Sequence, residues 1–310
     1  MKHYKGEYML ILEPISHETI WGGKKLLQYA PDKEKHEKLG HLYSLVSNGE
    51  FESKILNGKY KNQKFKKYFN ENKVKFGLNK FKDFPFVIAL VDPKEDLSIQ
   101  VHPNDKCAQE IESKEFGKNE SWYFIEAPTN RWLYNGCRVS TTEEIEQKIS
   151  ENRVEEDVID HLQINEGDYV FVEQGTMHAA THGALFYEIE ENCNLTYRFY
   201  DFERVDKNGN KRELHIEKAL RAINPKLKSI TRRYNNSEIK ERLYSTQLFE
   251  NKSQYKNNSD TLECLTVLNG ESEIENYKIQ MGTTVILEPQ EAIQLNPSTF
   301  IISRPVKGEK

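Results

Sequence analysis

The chain has 310 residues, of which 44 are Lys or Arg and 49 are Asp or Glu. This length is sufficient for a large core and indicates two domains or one double-layered β architecture. The formal net charge of −5 argues against nucleic acid or an anionic membrane surface as the main partner. No apolar run approaches the roughly 20 residues that span a bilayer. No secretory signal and no CxxC pair are evident, so we expect a cytoplasmic protein with free thiols.

Up to residue 126 the predicted elements are strands with one short helix. The segment Trp21-Gly22-Gly23 follows an apolar stretch at 8–14 and indicates a turn with close backbone approach. A short helix is predicted near 63–72. The continuous apolar run at 84–92 predicts a buried strand. Further strands are predicted at 97–102 and 121–126.

Residues 141–164 form the clearest helical region. Thr141 or Thr142 can cap a helix there, acidic residues follow in the first turn, and apolar residues recur at near-helical spacing as far as Leu162. A tight turn is predicted at 175–179 and a short helix at 215–220. In this part of the chain a turn followed by a strand is predicted over 164–172, and strands are predicted at 184–190 and 195–200.

Residues 230–310 repeat the same rhythm of strands and turns and contain no histidine. Asn269-Gly270 lies between two apolar strands and is a strong signal for a hairpin. Many short strands separated by turns predict an all-β barrel or sandwich with minor helices. We therefore expect a metal-containing domain over 1–230, with a helical insertion near 141–164, and a β domain without a metal site over 231–310.

Three motifs supply the residue types of a metal site. In Gln100-Val101-His102-Pro103 the two polar side chains share one strand face and would both point into the lumen of a small barrel. Glu120 lies where a turn enters a strand, and His178 follows Gly175 at the start of another. Taken singly, a hydrogen-bonded core histidine or a solvated Lys118–Glu120 pair explains these motifs as well. Their order, however, is characteristic of cupin barrels, and the N and O donors suit zinc, iron, manganese or cobalt, with zinc favoured.

Together these motifs resemble those of type I phosphomannose isomerase in its short bacterial form. The matching segments appear in family order over essentially the whole chain: 21–23, 97–105, 117–123, 175–179, 188–201 and 212–219. The resemblance implies a mainly β, double-cupin fold of two jelly-roll β-barrels with a small helical insertion. It also implies a metal-dependent aldose–ketose isomerase that interconverts mannose 6-phosphate and fructose 6-phosphate through an enediolate. Such an enzyme would act on a small-molecule sugar phosphate as a monomer or homodimer.

The motif match also implies roles for individual residues. The metal ligands would be Gln100, His102, Glu120 and His178. Arg198 would face the sugar phosphate, Lys118 would line the pocket and Glu188 would be an acid/base. The residues that would bind the substrate are Trp21, Glu190 and Asn194.

Two of these assignments have alternatives. Glu188 and Glu190 share one strand face, so either carboxylate can carry the proton if burial or a like-charged neighbour raises its pKa. We expect the adjacent Glu191 to be exposed. The alternative role for Arg198 is a structural ion pair with an acidic strand neighbour.

The chain departs from the family pattern at several pocket positions. A usual lysine is Ala89, a usual aspartate is Asn194, and a usual Gly-Glu-x-Trp is Gly40-His41-Leu42-Tyr43. Retained ligands with changed pocket residues are compatible with an isomerase or epimerase of another sugar phosphate, or with a non-catalytic sugar-phosphate-binding cupin. A metal oxygenase on the same barrel rests on fold analogy alone, and the Gln ligand and the Arg/Lys pair count against it.

Overall fold

The computed structural model describes residues 9–114 and 116–307. Within these ranges the first strands are β1 Leu10–Ile11, β2 Ile15–His17, β3 His41–Leu45, β4 Phe86–Val91, β5 Ile99–Val101, β6 Glu120–Glu126, β7 Trp132–Cys137, β8 Ile159–Gln163, β9 Tyr169–Val172 and β10 His178–Ala179. They are followed by β11 Leu185–Glu191, β12 Tyr197–Tyr200, β13 Thr231–Arg232, β14 Ile239–Lys240, β15 Tyr244–Lys256, β16 Glu263–Asn269, β17 Ser272–Ile274, β18 Tyr277–Ile279, β19 Thr284–Leu287 and β20 Ala292–Pro305. The α-helices are α1 Phe65–Asn72, α2 Asp105–Glu112, α3 Thr142–Ser150 and α4 Ile216–Ala222. None of these helices is both long enough and apolar enough to cross a membrane.

Two antiparallel sheets enclose the first core. A seven-stranded sheet has the order β13-β9-β6-β11-β4-β3-β2, and a five-stranded sheet has the order β12-β5-β10-β7-β8. Their inner faces contribute to one cluster of buried residues, with Val91 and Phe124 from the first sheet and Val101 and Leu133 from the second. Polar residues that alternate with these apolar ones on the inner faces are therefore brought together between the sheets.

A third sheet forms the second lobe, in the order β1-β19-β16-β20-β15-β14. One of its faces packs against the seven-stranded sheet in a shared apolar cluster that includes Ile88, Tyr187, Tyr244 and Ile301. The lobe takes β1 from the start of the chain, where Leu10 pairs with Ile286. In the opposite direction β13, just past residue 230, joins the first domain by pairing with β9. The domain boundary near residue 230 stays a prediction.

The short helices predicted near 63–72 and 215–220 are confirmed as α1 and α4. In α1 the residues at positions i, i+3 and i+4, namely Phe65, Tyr68 and Phe69, are fully buried. This spacing produces a single apolar stripe, which the helix packs into the cluster shared by the two lobes.

The helix predicted over 141–164 is correct only in its first part. The Thr141 hydroxyl accepts from the Glu144 N–H at 3.2 Å, and the Glu144 carboxylate accepts from the Thr141 N–H at 3.1 Å, so a capping box begins α3. The helix ends at Ser150, and a single π-helical turn follows at Val154–Val158. The last segment is β8, which pairs with β7. A five-residue run such as 159–163 satisfies both the strand and the helix period, and pairing with a neighbouring strand decided between them.

The hairpin predicted at Asn269-Gly270 is wrong. β16, which ends at Asn269, pairs with β19 and β20, while β17 pairs with β18. The two-residue turn lies instead at Glu275-Asn276, where both residues adopt the left-handed conformation, with φ of 51° and 67°. This is the geometry of a type I′ turn, whose twist matches that of the flanking strands.

Candidate active site

Four side chains converge between the two sheets of the first domain. His178 pairs in register with Gln100, which places β5 and β10 side by side. Glu120 is the first residue of β6 and reaches across from the other sheet. The Glu120 carboxylate lies 3.0 Å from His102 Nε2 and 3.0 Å from His178 Nε2. Gln100 Nε2 lies 3.5 Å from His178 Nε2. The structure thus brings together the four predicted metal ligands, and all but Gln100 are fully buried.

The hydrogen bonds of the two imidazoles suit a divalent metal. His102 Nδ1 donates to the carbonyl of Leu195 at 2.9 Å, and His178 Nδ1 donates to the carbonyl of Thr176 at 2.9 Å. In the neutral rings both Nε2 atoms therefore carry lone pairs, and these point at the Glu120 carboxylate. Burial, with Lys118 nearby, lowers the pKa of His102 to about 4, so this ring is neutral at pH 7. Lone pairs and a carboxylate that face each other in a buried site are favourable when a cation lies between them.

A second group of acids lies beside the ligands. Glu120, Glu188 and Glu190 each offer an oxygen within 4.8 Å of the others, because Glu188 and Glu190 alternate on β11 and Glu190 pairs with Glu120. Lys118 Nζ is 2.5 Å from Glu190 and 3.3 Å from Glu120. Burial alone would lower the pKa of Lys118, but Glu190, Glu120 and Glu188 raise it above its ordinary value. Lys118 is therefore a fixed positive charge, and the solvated alternative for the Lys118–Glu120 pair does not hold.

The carboxyl group of Glu188 is buried beside two other acids. Burial raises the pKa of Glu188 well above its usual range, and the carboxylates of Glu190 and Glu120 add to the effect. Trp122 Nε1 donates to Glu188 Oε1 at 2.8 Å and orients the group. Burial also raises the pKa of Glu190, although Lys118 opposes this shift. A raised pKa makes the carboxylate a stronger base, which suits a group that accepts a proton and then returns it.

One wall of the site is aromatic. Trp21 is buried and meets the ring of His41 edge-on, with centroids 5.1 Å apart. His41 Nε2 in turn lies 4.0 Å from Glu188 Oε2. Ala89 pairs with Tyr43 on one side and Glu188 on the other. Sequence reasoning did not place His41 in the site, although its position in a changed family motif was a usable signal.

Arg198 lies beside the predicted metal ligand Gln100 and has no acidic partner among the described residues. It pairs in register with Gln100, and its Nε is buried without a hydrogen bond. Asp201, an acid three residues further on, is occupied by Arg204 and Arg212. Burial lowers the pKa of Arg198, and Arg212 acts in the same direction, so an additional anion would be favourable here. The alternative of a structural ion pair is therefore not supported.

Known proteins share these features. The sequence model of phosphomannose isomerase type I, catalytic domain, matches residues 9–122. Mannose-6-phosphate isomerase ManA of Bacillus subtilis (strain 168) is 32% identical over 242 residues, which are 78% of this chain and 76% of that relative. The chain belongs to the type I phosphomannose isomerase family. This confirms the family that the sequence motifs predicted.

A second relative and a solved structure are also similar to this chain. Mannose-6-phosphate isomerase of Streptococcus mutans serotype c is 33% identical over 211 residues, covering 68% of this chain and 66% of the relative. The crystal structure of mannose 6-phosphate isomerase from Bacillus subtilis has a TM-score of 0.81 and 28% identity, covering 96% of this chain and 99% of that one. The mainly β, cupin-type fold is thereby confirmed. Family membership implies a sugar-phosphate substrate and a divalent metal.

Two predictions concern Glu191 and Asn194, which lie close together in the chain, and the structure bears on them differently. Glu191, expected to be exposed, is fully buried, because Arg242 binds its carboxylate and Asn119 donates to it at 3.0 Å. Asn194, predicted to bind substrate, is exposed and lines a separate cavity of about 380 Å³ together with Ser47 and Cys193. The substrate role of Asn194 stays a prediction.

Proposed function

We propose that this phosphomannose isomerase interconverts mannose 6-phosphate and fructose 6-phosphate and holds one zinc ion at Gln100, His102, Glu120 and His178. The observation that carries the proposal is the pair of Nε2 atoms that face the buried Glu120 carboxylate, with the buried carboxyl group of Glu188, whose pKa is raised, beside them. When bound, the metal would orient the sugar and offset negative charge that develops on its oxygens.

The protein's own residues account for the proton transfer. Aldose–ketose isomerisation moves a proton between C1 and C2 of the sugar through an enediolate. Glu188 is the candidate for carrying that proton as a carboxylate, because Trp122 holds it in one orientation and Glu190 is occupied by Lys118. Lys118 provides positive charge near the developing enediolate without giving up its own proton. Glu190, held by Lys118 at 2.5 Å, positions that ammonium group.

Arg198 is the candidate for binding the phosphate. Its guanidinium has no ion pair within the described part of the chain and can bind a phosphate through two parallel N–H donors. Trp21 would form part of the pocket wall through its contact with His41. The sugar would then lie between an anion-binding side and a proton-transferring side, which positions it for reaction.

A coupled isomerase assay on mannose 6-phosphate tests this function. Zinc-loaded protein, chelated protein and His102→Ala are compared side by side, with metal content measured for each. We expect turnover that follows the metal content and falls at least about 1,000-fold in His102→Ala. A folded, metal-replete sample that interconverts neither sugar would refute the proposal.

A second candidate function is supported by the altered pocket. Ala89 removes a side chain beside Glu188, and Asn194 is exposed, so the isomerase could prefer another sugar phosphate. A panel of aldose and ketose phosphates, including epimers at C2, decides between the two functions by their kcat/KM values.

We also propose a cytoplasmic protein, monomeric or homodimeric, with no nucleic-acid or membrane partner. Light scattering and cell fractionation test these statements.

A further inference from the structure

His41 and Glu188 are placed so that both can bind the same ligand atom between them. It is the first residue of β3, and its Nε2 lies 4.0 Å from Glu188 Oε2. That separation is too long for a direct hydrogen bond. It is suited, however, to an oxygen atom lying between the two groups at about 2.8 Å from each. The pair thus has the geometry of a clamp on one oxygen.

The ring of His41 is held in one orientation by packing alone. It stacks on Tyr43 with centroids 5.2 Å apart and planes 3° apart, and on His17 at 5.5 Å and 15°. Trp21 closes on it edge-on at 74°. Three ring contacts fix the direction of Nε2 without using its hydrogen-bonding capacity. A site that is preorganised in this way loses little entropy when it binds a ligand.

Neither ring nitrogen of His41 has a hydrogen-bond partner among the described residues. Its Nδ1 is buried and has no hydrogen-bond partner among the described residues, a costly arrangement that concentrates at functional sites. The side chain is 17% exposed, so a small molecule can reach its edge. Burial, with His17 and Lys118 acting in the same direction, lowers the pKa of His41 to about 3. The ring is therefore a neutral hydrogen-bonding group at neutral pH.

We propose that His41 and Glu188 bind one oxygen of the sugar between them, at C1 or C2 of a phosphorylated aldose or ketose. The inference rests on the proposed function and adds a substrate-contacting residue to it. The neutral imidazole donates from Nε2 to this oxygen, and the contact strengthens as the oxygen gains negative charge during proton transfer. On the other side of the same oxygen, the Glu188 carboxylate accepts the proton from the adjacent carbon. The carboxyl group so formed donates to the oxygen until the proton is returned to the other carbon.

A purely structural His41 would act through its ring, whereas a substrate-contacting His41 acts through Nε2. Two substitutions separate these roles. His41→Phe keeps the stacked ring and removes both nitrogens. His41→Gln removes the ring and places an amide N–H near the position of Nε2. His17→Phe is the matched control, because it changes the far ring of the same stack.

We expect kcat/KM of His41→Phe to fall about 10- to 100-fold, through both KM and kcat, because the lost hydrogen bond is present in the bound substrate and strengthens on developing charge. His41→Gln is expected to retain turnover within about fivefold of the wild type, and His17→Phe to match the wild type. Thermal unfolding of each variant reports on folding. Equal losses in the Phe and Gln variants, or an unchanged Phe variant, would overturn the inference.

A binding measurement separates this inference from the proposed function. Mannitol 6-phosphate lacks the carbonyl and cannot isomerise, and its Kd is measured by calorimetry for the wild type, His41→Phe and His41→Gln. A Kd that weakens at least about threefold in the Phe variant alone supports the contact even if the wild type shows no turnover. Equal Kd values in all three proteins, or no binding at all, would overturn it.

Discussion

The interior of the first domain and the core of the second lobe are built from the same antiparallel strands but contain different chemistry. Between the two sheets of the first domain lie His102, Lys118, Glu120 and His178, none more than 6% exposed. The core of the second lobe is a cluster of apolar side chains, which includes Leu265, Val267, Val285, Phe300 and Ile302. Among the described residues after 231, Glu263 is the one buried charged side chain, and Arg304 neutralises it at 3.2 Å.

This difference separates function from stability. Burying charge costs free energy unless it is paired or binds a metal, so a concentration of buried acids, imidazoles and a lysine indicates a site. The apolar core of the second lobe needs no such explanation and contributes stability through burial. We therefore expect substitutions in the first region to change turnover and substitutions in the second to change stability.

The largest effect is expected at Glu188. Glu188→Gln keeps the shape of the side chain and can still accept from Trp122, but it cannot transfer a proton. We expect kcat to fall about 1,000-fold while the free energy of unfolding is unchanged or increased, because repulsion from Glu190 and Glu120 is removed. Steady-state kinetics and urea unfolding measure the two quantities. Glu263→Gln is the matched control in the second lobe, and a kcat for Glu188→Gln within tenfold of it would contradict the comparison.

The converse change is Leu265→Ala in the second lobe. Leu265 is fully buried, and its truncation is expected to lower the free energy of unfolding by about 2–5 kcal/mol. Turnover per folded molecule should stay at the wild-type value below the unfolding temperature. Urea unfolding and active-site titration test both parts. A loss of kcat in protein that is still folded would show that the two regions are coupled.

Arg242 tests the connection between the regions. It comes from the second lobe and binds Glu191, whose carboxylate also accepts from Asn119, the residue between Lys118 and Glu120. Arg242→Met leaves a buried carboxylate unpaired, so we expect a loss of about 3 kcal/mol of stability and weaker metal binding. Urea unfolding and chelator competition measure these effects.

The double variant Arg242→Met with Glu191→Gln is the control for that test. It removes the unpaired charge and should recover part of the lost stability. If the double variant is no more stable than Arg242→Met, the unpaired carboxylate is not the cause.

The smallest effect concerns Glu291 in the second lobe. Burial raises its pKa to about 7, and the carboxylate of Glu288 adds to this. The pKa of Glu291 is higher in the folded protein than in the unfolded chain. The protonated side chain therefore contributes its full stability to the fold below the unfolded pKa, and this contribution is lost as the pH rises through about 7. After allowance for the partial exposure of Glu291, we expect this contribution to the free energy of unfolding to be about 1 kcal/mol. The free energy of unfolding should differ less between pH 5 and pH 8 in Glu291→Gln than in the wild type. Equal differences in the two proteins would contradict the assignment.

Much of the fold and of the candidate site was predictable from local patterns. The alternation in 97–102 placed Gln100 and His102 on one face, and the structure shows both beside His178. Alternation likewise placed Glu188 and Glu190 together. The continuation of α3 as a π-helical turn and β8 was not predictable, because five residues satisfy more than one period. The turn at Glu275-Asn276 was missed because Asn269-Gly270 carried the stronger local signal.

The sequence by itself determined the family, the mainly β cupin-type fold and the residues that converge as candidate ligands, since these depend on motif spacing and strand alternation. Only the tertiary structure decided that Glu191 is buried against Arg242, that Arg198 lacks an acidic partner among the described residues, and that His41 faces Glu188. These facts depend on contacts between residues far apart in the chain. Partner, distance and burial set the energy of a charged or polar group, and none of them is encoded in its immediate neighbours.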